Sequence, residues 1–390
     1  MVIQSQARTE IELTDLRSAL LPMREQILAD LTMLAQIPAP TGEEEQRIRF
    51  VLDRFVEAGL PDAGPDEMGN AVGVLPGRTA ERTILLAAHA DTVYPRSVNH
   101  NVTLEPDRVL GPGVGDNALG VAALCLIPRC LAHLGIELDS QLVLLTSVQS
   151  LGKSNHAGLR FVLDHLPNPI DYGIVVEGLQ LGRANYLSIG KIRGDISCNV
   201  CPERIRSDQS QNALVALHHV IHRILSIPVP TQPYTKIRLA KMHAGLSYDS
   251  EPDHAELGFE VVSHCDDMID QIRHAMDDAV AEVSAQHGVQ AKLDCFFRRE
   301  TGGIAFSHPL VKSVLRVMEQ LNIEPDLGRG PSELPEFIGR KIPAVTLGLT
   351  MGETNLESEP DYVLIEPILT GLAQLLGVVL EIDKGACDEP

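Results

Sequence analysis

Apolar residues recur at helical spacing from the start of the chain. Leu16, Leu20, Met23, Ile27, Leu31 and Leu34 share one face of a helix expected over residues 14–36. The run Ile37-Pro-Ala-Pro-Thr-Gly42 breaks it. A second helix is expected over 43–59, with Ile48, Val51, Leu52 and Phe55 inward and Gly59 as its stop. A short strand follows at 71–75. Residues 83–88 are an unbroken apolar run of strand length, as a strand covered on both faces requires. A helix over 118–134 and buried strands at 142–146 and 173–176 continue the alternation. Strands alternating with helices point to an α/β sheet covered on both sides.

The pattern changes after about residue 186. A strand at 187–200, a helix at 211–225, strands at 236–240 and 257–262, a helix at 267–287 and a strand at 291–297 follow in turn. That order, β-α-β-β-α-β, is the signature of a ferredoxin-like sandwich. The first style returns with a helix at 310–321, a buried strand at 344–349 and a closing helix at 364–380. The expected fold class is therefore α/β, a mixed sheet sandwiched by helices over 1–186 and 300–390. A ferredoxin-like α+β domain is inserted over 187–299. A chain of 390 residues has room for both.

Composition narrows the function classes. The net charge of −21 argues against nucleic acid and against anionic membrane surfaces, which both need clustered cations. The longest apolar stretches fall well short of the ~18 residues that cross a bilayer. Glu10, Glu12 and Asp15 stand where a secretory leader carries its basic region. The 7 scattered cysteines read as reduced thiols, and the expected compartment is the cytoplasm. Cys198 and Cys201 form a lone CxxC with no second pair at zinc-ribbon spacing.

Three segments place metal-type residues at the carboxyl ends of expected strands, the edge where open α/β sheets collect ligands. The first is Ala87-Ala-His-Ala-Asp-Thr-Val93. There His89 is a ligand candidate and Asp91 a partner to orient its imidazole. The second is Gly111-Pro-Gly-Val-Gly-Asp-Asn117, which offers Asp116. A phosphate loop is the competing reading, but the Gly-Lys-Ser/Thr ending is missing. The third is Val175-Val-Glu-Gly178, which offers Glu177. Singly these are a core histidine, a helix cap and a strand-end acid. Together they are a workable set for one divalent ion.

These motifs resemble those of the co-catalytic di-zinc peptidase and deacylase family, which includes carboxypeptidase G, peptidase T, acetylornithine deacetylase and aminoacylase. The resemblance covers nearly the whole chain, the inserted sandwich included, which in that family is the lid and dimerisation domain. It implies His89, Asp116 and Glu177 as ligands of one zinc ion, with Asp116 bridging to a second. It also implies a Glu-Glu pair after a buried strand, one acid as general base and the next as ligand. Here Thr146-Ser-Val-Gln-Ser-Leu-Gly152 puts Gln149 at the base and Ser150 at the ligand. Near the C-terminus Glu357 takes the usual position of the last ligand, a histidine. Arg204 lies in the lid segment where a substrate-steadying histidine is usual. Glu333 follows Ser332 where the family often has Ser-Asp, so both are substrate-binding candidates.

An amide cannot accept a proton from water at neutral pH, so Gln149 cannot serve as the base. Losing a general base typically costs ~10²–10⁴ in rate. Three readings follow. One is a pseudo-hydrolase that keeps the fold and one zinc ion and binds a peptide-like or acylated amino-acid ligand. Another is altered one-metal chemistry in the same pocket, with Glu357, Glu353, Glu333 and Arg204 as candidate groups. The last is ordinary peptide or N-acyl hydrolysis. A homodimer through the inserted domain is the expected assembly. His218 and His219 fall on the expected 211–225 helix. His156, His165, His243, His254, His264 and His308 show no paired spacing and read as structural or solvated.

Overall fold

The computed structural model describes residues 12–60, 62–200, 212–330, 332–355 and 360–388. The chain divides into two compact units, Met1–Leu187 with Gly303–Pro390, and Ser188–Gly302. The larger unit is built on a seven-stranded sheet. Its centre is Gln141–Ser147, Thr83–His89, Tyr172–Leu179 and Ala344–Thr350, side by side and parallel. Antiparallel Ala71–Leu75 and Gly64–Pro65 extend one edge and Ala184–Asn185 the other, so the sheet is mixed.

The unbroken apolar runs exist because both faces are covered. Successive residues of a strand point to opposite sides. Ile84, Leu86, Leu142, Leu144, Ile174 and Val176 enter the larger core, which includes Leu119–Leu134 and Ile368–Asp383. Leu85, Ala87, Val143, Leu145 and Val175 enter a smaller one with Leu159, Val162, Leu334 and Phe337. Four parallel strands end at the same edge, and the chain leaves each of them in a loop. That edge carries the candidate site.

The smaller unit is a four-stranded antiparallel sheet, ordered Thr235–Ala244, His254–Ser263, Gly190–Asn199 and Gln290–Arg299. The helices Ala213–Leu225 and Asp266–His287 share one core with that sheet.

The helix expected over 14–36 is in fact three pieces, Leu13–Ala19, a single turn Leu21–Met23 and Arg24–Gln36. Pro22 has no N–H to continue the first helix but fits the opening turn of the next. Short elements escaped the pattern reading. Ala157–His165 and Leu334–Ile338 are helices of 9 and 5 residues, too short to show a period. Thr103–Leu104, Arg108–Leu110, Gly352–Glu353 and Tyr362–Leu364 form a small second sheet. Arg204, Glu357 and Cys201 lie outside the described residues. Cys198 is buried in its strand, and the six described cysteines are free thiols.

Candidate metal centre

His89 is the last residue of its strand, and its ring is buried. Its Nδ1 faces the backbone oxygen of Asp91 at 3.0 Å. A carbonyl only accepts, so Nδ1 carries the proton and neutral His89 presents the Nε2 lone pair outward. Nε2 lies 3.1 Å from Asp116 Oδ1. Glu177 completes the group: one donor atom from each of the three residues lies within 4.8 Å of the others. The Asp116 side chain keeps 46% of its surface exposed, so the group opens to solvent.

The loop that carries Asp116 is held from two sides. Asp361 accepts from the Gly113 N–H at 2.8 Å, and Gly113 sits at φ +71°, a conformation glycine adopts freely. Asn117 next clamps the strand of Glu177: its amide donates to Val176 O at 2.8 Å and accepts from Gly178 N at 2.9 Å. Those two bonds bracket Glu177. A side-chain carbon at Gly120 would collide with this clamp, so the helix start packs directly on it.

Asp91 is wholly buried and receives three hydrogen bonds. Thr41 Oγ1 donates at 2.8 Å, Ser150 N at 3.2 Å and Leu151 N at 2.8 Å. Its carboxylate also faces His89 Nδ1 at 3.5 Å. Burial opposes its charge, but the His89 imidazole first, and then the Leu151 amide and the Thr41 hydroxyl, outweigh it and keep the pKa below the ordinary range. Arg47 is buried beside it and ties Ala90 O at 2.8 Å to Ile37 O at 2.6 Å.

The turn at 148–151 is fixed by its backbone. Val148 N donates to Asn70 Oδ1 at 2.9 Å, Gln149 N to Glu44 Oε1 at 2.9 Å, and the next two amides to Asp91. Gln149 is held at φ +54°, left-handed and unusual for a residue with a side chain. The turn therefore keeps its form with Gln149 and Ser150 in it. Ser150 is buried and its hydroxyl donates to Glu333 Oε1, which also accepts from Ser147 Oγ at 3.0 Å. Glu333 is itself buried, and its other oxygen, Oε2, has no hydrogen-bond partner. Its carboxylate thus stands on Ser150, at the position where the resemblance places a second metal ligand.

The charges of the group are strongly linked. Burial opposes charge on His89, but Asp116 and Asp91 outweigh it and lift its pKa well above the usual range. Burial first, and then the charges of Asp116 and Glu333, push Glu177 up to about 7. The Arg183 guanidinium works the other way on both Asp116 and Glu177. Pattern reading missed Arg183, Arg47, Glu44 and Thr41. They have no motif of their own, and only the fold brings them to the site.

One nitrogen and two carboxylates, converging and partly solvated, suit a divalent ion of the zinc, cobalt or manganese kind. Among the described residues no second group of three such donors converges. Glu353, in the short strand Gly352–Glu353, is exposed.

Comparison with known proteins agrees with this geometry. The profile of peptidase family M28 matches residues 70–148, which carry His89, Asp91 and Asp116. A putative [LysW]-lysine/[LysW]-ornithine hydrolase of Thermococcus kodakarensis is 41% identical over 63 residues, 16% of this chain and 17% of that relative. A Saccharomyces cerevisiae dipeptidase structure superposes with a TM-score of 0.78 at 11% identity, covering 96% of this chain and 99% of that one. The chain has the fold of that dipeptidase. A Staphylococcus aureus tripeptidase structure shares the same fold with a TM-score of 0.75 at 18% identity, over 93% of this chain and 99% of that one. The sequence match to the curated hydrolase spans only about a sixth of its length.

Two predictions follow from the geometry. Asp91→Ala keeps the backbone oxygen that faces Nδ1 but removes the carboxylate that flanks His89 and anchors the 150 and 151 amides, so zinc affinity in a chelator competition is expected to fall ~10–100-fold. Metal binding must also displace protons from His89 and from Glu177, whose pKa is about 7. Apparent zinc affinity is therefore expected to weaken as pH falls below about 7, with proton release visible when calorimetry is repeated in buffers of different ionisation enthalpy. An affinity flat between pH 6 and 8 would contradict this assignment.

Proposed function

We propose that this protein is of the peptidase and amidohydrolase type and holds one zinc ion at His89, Asp116 and Glu177. It binds a peptide-like or N-acylated amino acid there without the two-ion hydrolysis of its family. The observation that carries this reading is the pair Gln149 and Ser150, seated in a turn whose backbone remains fully anchored.

The ion, when bound, supplies a Lewis acid for a ligand carbonyl. The chain supplies the rest. Asp91 fixes the His89 tautomer, Asn117 holds the Glu177 strand end against the Asp116 loop, and Arg183 adds positive charge close by. Gln149 can donate to or accept from a bound amide but cannot take a proton from water. The Ser150 hydroxyl is engaged by Glu333.

One observation favours a second reading. The free Oε2 of buried Glu333 is a proton acceptor without a partner, so Glu333 is the group that could serve altered one-ion chemistry.

A homodimer through the inserted unit belongs to the proposal. The outer edge of Thr235–Ala244 pairs with no strand among the described residues, and Leu214 and Val215 are exposed on the helix nearby in sequence. A cytoplasmic setting and no nucleic-acid or membrane partner complete it.

The test is turnover by zinc-loaded protein on a panel of dipeptides and N-acyl amino acids. We expect measurable ligand binding, with turnover ~10²–10⁴ below ordinary enzyme rates. Turnover near ~10 s⁻¹, an ordinary enzyme rate, would overturn the reading. Loss of that turnover in Glu333→Gln would then assign the proton acceptor to Glu333.

A further inference from the structure

Three histidines sit on the outward arc of the helix Ala213–Leu225 in the smaller unit. The helix buries Ala213, Ala216, Leu217, Val220 and Ile224 and turns His218, His219 and His222 away from that core. His218 and His222 are one turn apart, so their side chains are neighbours, and His219 and His222 are neighbours at the next spacing. The fold adds a fourth. His287 ends the helix Asp266–His287, and its ring stacks on His219 with centroids 4.4 Å apart and planes 26° from parallel. His218 meets the same His219 ring edge-on at 5.4 Å. No sequence spacing joins residues 219 and 287; the packing of two helices does.

The two helices are tied together beside the cluster. Arg223 Nη1 donates to Glu282 Oε2 at 2.5 Å and Nη2 to Gln286 Oε1 at 3.2 Å. The backbone under the histidines is therefore fixed, while the imidazoles are free to turn. Among the described residues no hydrogen bond holds their ring nitrogens. Slight burial and the charges of His287, His218 and His222 keep His219 below its ordinary pKa, which favours the neutral, ligating form at neutral pH.

We propose that His218, His219, His222 and His287 form a second metal site, separate in chemistry from the His89 group, that takes a borderline divalent transition ion such as zinc, nickel or copper. An all-imidazole site selects these ions over magnesium or calcium, which prefer oxygen donors. Two imidazoles at i and i+4 on one helix are a recurring zinc-binding arrangement, and His219 and His287 add donors from the neighbouring turn and the neighbouring helix. As placed, no three of their donor atoms converge, so binding requires these exposed and half-buried rings to rotate toward one another. A bound ion would cross-link the two helices of this unit and raise its resistance to unfolding.

The experiment uses the full-length chain without an affinity tag and zinc sulfate alone. In calorimetry the His89→Ala protein is expected to keep one zinc ion per chain. Adding His218→Ala and His222→Ala, or His219→Ala and His287→Ala, should weaken that remaining binding at least tenfold. The same pairs made in the otherwise unchanged chain should remove one ion per chain, so the result does not depend on the His89 variant folding. In the His89→Ala protein, cobalt in place of zinc should give a visible ligand-field spectrum that these pairs abolish. If both pairs leave the zinc count and affinity of the unchanged chain as they were, the proposal is wrong.

Discussion

A single buried carboxylate organises the candidate centre. Asp91 is wholly inaccessible, and a charge in that position is tolerable only when its lone pairs are satisfied. It is satisfied by three segments far apart in sequence: Thr41 from the loop after the first long helix, the amides of 150 and 151 from the turn after a central strand, and His89 from its own strand end. Arg47, equally buried, supplies nearby positive charge; burial brings its own pKa down to about 10 against the pull of Asp91 and Glu44. The orientation of the His89 imidazole and the form of the Gln149 turn are therefore one constraint, because both hang on Asp91.

That coupling explains how the turn holds its shape with Gln149 and Ser150 in it. The turn is specified through backbone N–H groups, which every non-proline residue supplies. Side chains at 149 and 150 are free to change so long as Gln149 tolerates its left-handed backbone. The Ser150 hydroxyl donates to the carboxylate of Glu333, delivered from a different element. Glu333 therefore keeps negative charge in the neighbourhood, and that charge is one of the causes that raise Glu177.

Much of this was legible in the sequence. The unbroken apolar runs at 83–88, 142–146 and 173–176 gave the buried strands, because two-sided burial leaves no other pattern. The strand-end positions of His89 and Glu177 and the glycine-flanked Asp116 then gave the metal group. Asp91 was legible as the partner of His89, though not as the anchor of the 149–151 turn, since backbone amides leave no trace in residue type. Glu333 was expected to contact substrate; the fold also buries it on Ser150, a contact across 183 residues that no local pattern encodes. The break at Leu20 was missed because the apolar period runs through it; Pro22, rather than a change of period, marks the new helix. His218 and His219 were placed on an expected helix and His222 and His287 drew no notice; they become a cluster only when His287 is folded against them.

The most direct test of the account is the number of zinc ions held per chain. It is best measured by elemental analysis on protein stripped of metal, reconstituted and desalted, in a chain carrying His218→Ala and His222→Ala so that only the His89 group is counted. The account predicts one ion per chain, lost when His89→Ala is added. Two ions per chain in that background would mean that a second site is complete in spite of Gln149 and Ser150, and would contradict it.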